Sequence, residues 1–481
     1  MKLCDLLCDL PYRSSTHTGE QLAAFSVDEL ITAPRKGAVN ALFVALRTPL
    51  HDGEDDVRVA FHSGTRLFLC RREIDVEKGA VLLITREPEQ LLGILAARLL
   101  GHPTRRLQVF ALTGSVGKSS VALLLTRMLR DAGHRVGLIC SDGVDTDGTW
   151  RLPSPHVPNA AQIQGHLADM AVNGSEFAVV ELNGYQLQYG AANGIEPLAV
   201  ALTSLQPRPM DGRDLTRYHN AMERLTRLEA PFCVLPADAT SETRATRVIR
   251  VGEGSAPSLQ GFCTEFSQNE GYVSQFLLAE GAESVTVRHP SPFRFSAENA
   301  LVAATLARIA GVPLSGIAKT LSQYAAPGRM ECLFLHDRLV CLDACFSPED
   351  LDAALRLLAP LTKGRLAVLL GSVGGRATER RVPLARTAEL LADHIYFTAD
   401  DPDFEAPFAI CNEMRDAMAE PERAEIIPDR RLAIHAAIRD MRPGDVLLVA
   451  GKGNLQTQLV RGERRPFPER ALCLDALAEH M

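Results

Sequence analysis

The sequence lacks any apolar run long enough to cross a membrane, which takes about 18 consecutive residues. Its first residues, MKLCDLLCDLPYRSS, also differ from a secretion signal, because Asp5 and Asp9 interrupt the apolar stretch. The sequence therefore predicts a cytoplasmic protein without membrane insertion.

An excess of positive charge is also missing. The chain has 51 basic and 59 acidic residues, which gives a formal net charge of -8. No global positive field is available to attract a nucleic acid, so we expect no nucleic-acid partner. The composition does not indicate a protein partner.

Cysteine pairs of the CxxC type are absent among the 11 cysteines. Cys4/Cys8 and Cys341/Cys345 have helical i,i+4 spacing, but a zinc site would need two more ligands. An odd number of scattered cysteines in a long chain favours reduced thiols over a disulfide framework. We interpret them as small, buried hydrophobic residues.

The chain has 481 residues, of which 46% are hydrophobic, and this length suits about two to four globular domains. Changes in periodicity predict three domains of α/β class, at residues 1–105, 106–326 and 327–481. The first is small, and the second is a doubly wound core. Alternating polar and apolar positions at 259–295 predict antiparallel strands appended to that core.

Short apolar runs in the second and third domains are separated by stretches long enough for crossover helices, as parallel sheets require. These runs are Leu107–Leu112, Val136–Cys140, Phe177–Leu182, Leu198–Leu202, Phe232–Leu235, Leu339–Leu342, Arg365–Leu370, His394–Thr398 and Val446–Ala450.

The clearest local signal is Gly114–Ser119, between an apolar strand and a helix predicted at Ser119–Ala132. Its glycines are closer together than in the GxxxxGK[ST] phosphate loop, so the strict motif does not match. The chemistry of that loop is nevertheless available. Glycines let backbone N–H groups approach phosphate oxygens, Lys118 can reach the outer phosphates, and the Ser119 hydroxyl can hold Mg²⁺. A strand-to-helix turn without a ligand is the alternative.

Glu181 lies at the end of the apolar strand FAVVEL, at the sheet edge where open α/β folds bind ligands. Its carboxylate could complete a Mg²⁺ site with Ser119. The alternative is an acidic residue that simply follows a strand.

An ordered series of segments resembles the Mur ligase family, and within it the UDP-N-acetylmuramoyl-tripeptide synthetases. TGSVGKSS is similar to the family's TGTNGKTT, VVELNGYQL to its EVSSHGL segment, APGRMEC to its PGRME, and LDACFSPEDLDAAL to its DYAHTPDAL. FTADDPDFEAP resembles TSDNPRxEDP, PDRRLAI resembles DRAxAI, and DVLLVAGKGN resembles DVVLVAGKGHE. Near the start, RKGAVNALFVAL is similar to the family's DSRxVxPGxLFVA.

The resemblance implies a three-domain enzyme that uses ATP and Mg²⁺. Its N-terminal domain would take the UDP end of the substrate, its central domain would bind ATP, and its C-terminal domain would have Rossmann-like topology. In the family, ATP phosphorylates a carboxylate, and an amine then displaces the phosphate. Lys118, with Mg²⁺ on Ser119 and Glu181, would stabilise the acyl phosphate. The resemblance assigns these residues to the nucleotide: Gly114, Ser115, Gly117, Lys118, Ser119, Ser120, Asn299, Arg329 and Asp343.

The departures from the family pattern affect residues with chemical roles. The family's substrate-contacting TTP begins here at His156, and its histidine in EVSSH is replaced by Tyr185, so both are assigned to the substrate. A family lysine that becomes carbamylated and positions a second Mg²⁺ aligns near Glu229. We expect the Glu229 carboxylate to face the phosphates as a partial replacement with a catalytic role.

The amine pocket is altered as well. The family's DNPR, whose arginine binds the diaminopimelate carboxylate, reads DDPD at 400–403, and GKGHE becomes GKGNL. Asp401, Asp403 and Lys452 are assigned to the substrate. Two added carboxylates would repel a distal carboxylate, so the sequence predicts a cationic or neutral amine and poor use of diaminopimelate.

Two functions remain open. The first is an ATP-dependent amide ligase that joins an amino acid or amine to a UDP-muramoyl-peptide-like acceptor in peptidoglycan precursor synthesis. The second is a non-catalytic paralogue that binds nucleotide and acts as a partner or regulator. Several altered substrate contacts favour the second, whereas the retained Lys118, Ser119, Glu181, Arg329 and Asp343 favour the first. A P-loop kinase or GTPase leaves the C-terminal segments unexplained.

Overall fold

A computed structural model describes residues 1–48, 51–152, 157–205, 215–252, 257–267, 271–335 and 337–479. The chain forms two compact units, Met1–Val251 and Gly252–Met481, each built from helices and sheets. The predicted mixed α/β class is confirmed. The two domain boundaries predicted at 105/106 and 326/327 stay predictions.

The first unit opens with a five-stranded sheet, in the order β1-β5-β4-β3-β2. Strands β2 to β5 are parallel, and every residue of β3, β4 and β5 is buried, as expected for parallel strands covered on both faces. The strands are β1 (Arg13–Ser14), β2 (Glu29–Ile31), β3 (Ala41–Val44), β4 (Leu67–Cys70) and β5 (Val81–Ile84). The helices are α1 (Leu3–Leu6), α2 (Gly19–Leu22), α3 (Val57–His62) and α4 (Pro88–Leu99).

An eight-stranded sheet follows in the same unit, in the order β13-β12-β11-β6-β10-β7-β8-β9. Its strands are β6 (Gln108–Thr113), β7 (Val136–Cys140), β8 (Gly143–Asp145), β9 (Trp150–Arg151), β10 (Phe177–Glu181), β11 (Ala199–Leu202), β12 (Phe232–Pro236) and β13 (Arg247–Val251). Strands β6, β7 and β10 to β13 are parallel, so their carboxyl ends lie along one edge. The helices are α5 (Lys118–Asp131), α6 (Ala160–Val172), α7 (Gly184–Gln188) and α8 (Leu215–Thr226).

The second unit begins with a three-stranded antiparallel sheet, as the alternating pattern predicts. Its strands are β14 (Ser258–Ser267), β15 (Gly271–Glu280) and β16 (Glu283–His289). Two helices follow, α9 (Arg294–Ile309) and α10 (Leu314–Gln323).

A six-stranded sheet completes the second unit, in the order β17-β18-β22-β19-β20-β21. Only its edge strand β17 is antiparallel to its neighbour, and buried apolar clusters cover the sheet. The strands are β17 (Arg329–Leu335), β18 (Arg338–Asp343), β19 (Leu366–Leu370), β20 (His394–Phe397), β21 (Ala424–Ile426), β22 (Val446–Ala450) and the separate hairpin β23 (Thr457–Val460) and β24 (Glu463–Pro466). The helices are α11 (Pro348–Leu358), α12 (Arg381–Leu391), α13 (Pro407–Asp416), α14 (Arg430–Arg439) and α15 (Glu469–Glu479). None of the described helices is long and apolar enough to cross a membrane.

Candidate functional site

The turn between β6 and α5 lies at the carboxyl edge of the eight-stranded sheet. Gly114 and Gly117 have φ angles of 148° and 82°, in the region that favours glycine. A Cβ atom on Gly114 would lie 2.9 Å from the backbone nitrogen of Ser204, so this position accepts no side chain. Ser115 N donates to Ser204 O over 2.8 Å, which holds the turn against the segment after β11.

Lys118 is the first residue of α5 and folds back over the turn. Its Nζ donates to the carbonyl oxygen of Gly114 at 2.8 Å and lies 3.4 Å from that of Ser115. The α5 N-terminus adds backbone N–H groups and its partial positive charge, and half-buried Ser120 lies in its first turn. This arrangement concentrates positive charge where a phosphate could bind.

Ser119 and Glu181 meet at the same edge. The β6–β10 register places Glu181 opposite Leu112, and its side chain is only 5% exposed. Ser119 Oγ donates to Glu181 Oε2 over 2.9 Å, and Ser141 N donates to the same oxygen over 3.0 Å. The sequence reasoning missed Ser141, although it directly follows the predicted strand Val136–Cys140.

The Ser119–Glu181 pair fits a Mg²⁺ ion that is bound together with a nucleotide. Mg²⁺ usually takes one or two protein oxygen ligands and completes its shell with phosphate oxygens and water. Within the part of the chain that the structure describes, no group of three or more His, Cys, Asp or Glu residues could hold a metal ion. One hydroxyl and one carboxylate oxygen are the number of protein ligands that a nucleotide-linked Mg²⁺ ion uses.

Tyr185 lies on α7, which begins just after β10 and is capped by Asn183. Its side chain is 42% exposed, and its ring centroid lies 4.8 Å from that of Tyr189. The residue is therefore close in sequence to Glu181 and accessible to a ligand. His156 lies outside the described residues, so its assignment stays a prediction.

The expected position of Glu229 is wrong. Helix α8 ends at Thr226, and Glu229 is exposed in the connection that enters β12. Phe232 N donates to Leu198 O over 3.2 Å, which marks this connection as the amino edge of the parallel sheet. The Gly114–Gly117 turn leaves β6 at the carboxyl edge. Helix α8 carries the chain from the carboxyl edge, where β11 ends, to the amino edge, so residue 229 lies at the edge opposite that turn.

In the second unit, Arg329 and Asp343 are register partners on β17 and β18. Met330 adopts a left-handed φ of 50° at a bulge, and its N–H donates to Asp343 Oδ1 over 2.8 Å. Burial raises the pKa of the Asp343 carboxyl to about 6, although the Arg329 guanidinium and the Met330 N–H oppose this shift. Asn299 is half-buried on α9 of the same unit.

Two glycine segments of this unit pack backbone to backbone beside Asp343. Gly328 has a φ of 61°, and a Cβ atom there would lie 2.1 Å from the carbonyl carbon of Gly453. A Cβ atom on Gly453 would in turn lie 2.6 Å from the Ala344 Cβ. The segments GRME and GKG, which are far apart in sequence, therefore meet at the carboxyl edge of the six-stranded sheet.

Lys452 forms a buried ion pair with the acidic segment after β20. Its Nζ donates to Asp401 Oδ1 over 2.8 Å and to Thr457 O over 3.1 Å, and it lies 3.3 Å from Asp400 Oδ1. Burial alone would raise the pKa of Asp401, but the Lys452 ammonium and the Leu459 N–H bring that pKa below its usual value. The negative charge of Asp401 is thus balanced inside the protein.

Asp403 has a structural partner as well. It adopts a left-handed φ of 52°, and its Oδ1 accepts a 2.7 Å hydrogen bond from Gly462 N in the turn between β23 and β24. For Asp401, the prediction of an uncompensated charge is therefore corrected, because Lys452 balances it. For Asp403 it stays a prediction, because a backbone N–H stabilises the carboxylate charge without neutralising it.

A glycine-rich loop at 371–375 was missed by the sequence reasoning. A Cβ atom on Gly371 would lie 2.3 Å from Thr398 O, and one on Gly374 would lie 1.9 Å from Pro402 O. The loop therefore packs directly on the segment that contains Asp401. Arg376 follows it, 43% exposed, with its guanidinium 3.9 Å from Asp401 Oδ2. The position of GSVGGR after the predicted strand Arg365–Leu370 was the available signal.

Two family models match the chain, the Mur ligase middle domain at residues 112–307 and the Mur ligase glutamate ligase domain at residues 328–453. A UDP-N-acetylmuramoyl-L-alanyl-D-glutamate--2,6-diaminopimelate ligase from Chromobacterium violaceum is 30% identical over 463 residues, covering 91% of this chain and 91% of the relative. The chain belongs to the Mur ligase family. The predicted family resemblance is confirmed.

Solved Mur ligase structures share the fold. A UDP-N-acetylmuramoyl-L-alanyl-D-glutamate--2,6-diaminopimelate ligase superposes with a TM-score of 0.67 at 21% identity, covering 100% of this chain and 99% of the other. The MurF ligase from Thermotoga maritima, in complex with ADP, has a TM-score of 0.53 at 16% identity, covering 94% and 97%. The architecture is thus that of Mur ligases over essentially the whole chain.

Proposed function

We propose that this Mur ligase is an ATP-dependent amide ligase that joins an amino acid or amine to a UDP-muramoyl-peptide-like acceptor in peptidoglycan synthesis. The arrangement of Lys118, Ser119 and Glu181 around the glycine turn carries this proposal, because it offers a phosphate cradle and oxygen ligands for Mg²⁺. The name of the Chromobacterium violaceum relative and the ADP complex of the Thermotoga maritima protein support it.

In the proposed reaction, a carboxylate oxygen of the acceptor attacks the γ-phosphorus of ATP, and ADP leaves. The amine nitrogen then attacks the acyl carbon, and phosphate leaves. Lys118 would exchange its contacts with the turn carbonyls for phosphate oxygens, which places a positive charge beside the transferred group. When bound at Ser119 and Glu181, Mg²⁺ supplies further charge neutralisation for the phosphoryl oxygens.

In the second unit, Arg329 and Asp343 are proposed to contact the nucleotide, together with Asn299. The bulge at Met330 fixes the Asp343 carboxylate through a backbone hydrogen bond, so its direction is set before a ligand binds. A pKa of about 6 leaves the Asp343 carboxyl mainly ionised at neutral pH. It can therefore accept hydrogen bonds from a nucleotide hydroxyl group.

For the amine substrate, we propose that Arg376 binds a carboxylate of the amino acid. The buried Asp401–Lys452 ion pair would support this site from inside the protein. Arg376 is partly exposed on a loop fixed by close glycine contacts, and a guanidinium binds carboxylates through paired N–H groups. The charge argument against diaminopimelate is weakened, because Lys452 balances the charge of Asp401, which leaves Asp403 as its support. Lysine, ornithine and diaminopimelate should be compared directly.

The position of Glu229 favours a second candidate, a paralogue that binds nucleotide without ligation. Glu229 lies at the amino edge of the sheet, so it cannot replace the carbamylated lysine implied by the family resemblance. In this case the protein would bind ATP but would release no phosphate with any pair of acceptor and amine.

The test combines calorimetry of Mg²⁺-ATP binding with phosphate release from UDP-linked muramoyl peptides and the three amino acids. Lys118→Ala should weaken ATP binding by roughly 10- to 150-fold, the value of one charge-assisted hydrogen bond of about 1.5 to 3 kcal/mol. Lys319→Ala is the matched control, because Lys319 is exposed on α10. Unchanged affinity in Lys118→Ala would contradict the nucleotide site.

The amine assignment is tested with Arg376→Met, with Arg386→Met, an exposed position on α12, as its control. We expect the KM for the amino acid to rise about ten-fold or more in Arg376→Met, with ATP affinity unchanged. An unaltered KM would remove Arg376 from the amine site. ATP binding without phosphate release by the unmodified protein would support the non-catalytic candidate.

A further inference from the structure

Cys332 and Cys341 lie directly opposite each other on the antiparallel strands β17 and β18. Their Sγ atoms are 3.2 Å apart. Opposed residues on antiparallel strands have Cβ atoms roughly 4.5 to 5.5 Å apart, close to the spacing of about 3.5 to 4.5 Å in disulfides. The strand register therefore holds two thiols in reach of a covalent bond without rearrangement of the sheet.

The two thiols differ in access. Strand β17 is at the edge of its sheet and Cys332 is half-buried, whereas Cys341 is fully buried. The hydrogen bond to Cys332 and burial raise the pKa of the Cys341 thiol well above its usual value. A small oxidant should therefore reach Cys332 first, with Cys341 behind it as the resolving thiol.

We propose that Cys332 and Cys341 form a reversible intramolecular disulfide in the presence of a hydroperoxide. The Cys332 thiolate attacks an oxygen of hydrogen peroxide, which breaks the O–O bond and gives a sulfenic acid and hydroxide. The Cys341 sulfur then attacks the sulfenic sulfur, the S–S bond forms and the sulfenic hydroxyl leaves. In sum, two thiols lose two electrons and two protons, and one peroxide becomes two waters.

Cys345 is the competing partner. It is buried after β18, its thiol interacts with the Asp343 carboxyl, and it is four residues from Cys341. Its position after the end of the strand gives it no register partner on β17, whereas Cys341 is the register partner of Cys332. The proposal therefore specifies the Cys332–Cys341 link and excludes a link from Cys332 to Cys345. It does not depend on ligase activity.

The test treats the full chain with substoichiometric hydrogen peroxide, blocks free thiols by alkylation and maps tryptic peptides by mass spectrometry. Cleavage after Arg329, Arg338 and Arg356 separates Cys332, in peptide 330–338, from Cys341, in peptide 339–356. We expect the two peptides to be joined and to be released by dithiothreitol. Peptide 339–356 also contains Cys345, so the expected mass is 2 Da below the sum of the reduced pair plus one alkyl group.

The variants decide which sulfurs are joined. Cys345→Ser should keep the link, and so should Cys263→Ser, which changes an exposed cysteine on β14. Cys332→Ser and Cys341→Ser should abolish it, with circular dichroism showing that both remain folded. The proposal is overturned if Cys332 and Cys341 stay alkylated while Cys263 is oxidised, or if the link survives in Cys341→Ser.

Discussion

Replacing Lys452 by methionine removes the ammonium that pairs with two carboxylates at the carboxyl edge of the six-stranded sheet. Lys452 is 1% exposed, and its Nζ lies 2.8 Å from Asp401 Oδ1 and 3.3 Å from Asp400 Oδ1. Methionine is of similar length, so it fills most of the same volume. The variant therefore tests charge rather than packing.

The expected loss of stability follows from the burial of this ion pair. Removal of one partner of a buried ion pair typically costs about 3 to 5 kcal/mol, because the remaining charge is left uncompensated. Asp401→Asn should cost less, roughly 1.5 to 3 kcal/mol, because Lys452 keeps its contacts with Asp400 and Thr457 O. Lys319→Met, at an exposed position, should stay within about 0.5 kcal/mol of the unmodified protein.

Thermal unfolding followed by circular dichroism measures these losses, and hydrogen exchange of peptides covering 398–405 and 450–460 locates them. For a unit of this size, each kcal/mol lowers Tm by about 2 to 4 °C, so Lys452→Met should unfold roughly 6 to 20 °C earlier. Faster exchange should concentrate in the two peptides. A Tm change no larger than that of Lys319→Met would refute the view that Lys452 neutralises Asp401.

Three further outcomes can be measured. In urea unfolding, Gly328→Ala should destabilise the chain by at least about 2 kcal/mol and Gly311→Ala by about 1 kcal/mol. Both glycines have a positive φ, but of the two only Gly328 would place a Cβ atom 2.1 Å from backbone. Equal losses of stability would contradict this. The folded pKa of about 6 at Asp343 exceeds the unfolded value of about 3.9. The free energy of unfolding of the unmodified protein should therefore fall relative to that of Asp343→Asn as pH rises from about 4 to 6, with no further change above. A stability difference that does not vary with pH would be the contrary result. Glu181→Gln keeps the shape of the side chain and removes its charge. The affinity for ATP in the presence of Mg²⁺ should therefore fall about ten-fold, while the affinity without Mg²⁺ is unchanged. Calorimetry at several Mg²⁺ concentrations measures both affinities.

The apolar strands could be predicted because burial on both faces produces uninterrupted hydrophobic runs. The strands β6, β7, β10, β11, β12 and β22 are all of this kind. The short strands β8 and β9 and the mostly exposed β13 carry no such run, so the sequence gives little signal for them. The hairpin β23–β24 was missed for the same reason, since its residues are half-buried or exposed.

The phosphate turn could be predicted because its chemistry is local, with strand, glycines, lysine, serine and helix consecutive in the chain. The position of Glu229 could not, since it depends on where α8 ends and which sheet edge the next strand enters. An alignment in sequence preserves residue order and cannot report at which edge of the sheet a residue near the end of a crossover helix will lie.

Glu181 and Asp401 have a similar sequence context but different partners in the folded protein. Both are buried residues near the carboxyl ends of parallel strands. Glu181 accepts hydrogen bonds from the Ser119 hydroxyl and the Ser141 N–H, which stabilise its charge without neutralising it, so the charge remains available to a cation. Asp401 instead pairs with Lys452, 51 residues away in sequence. A carboxylate at a sheet edge is therefore available to a ligand only when the fold supplies no cation of its own, and that depends on contacts between distant residues.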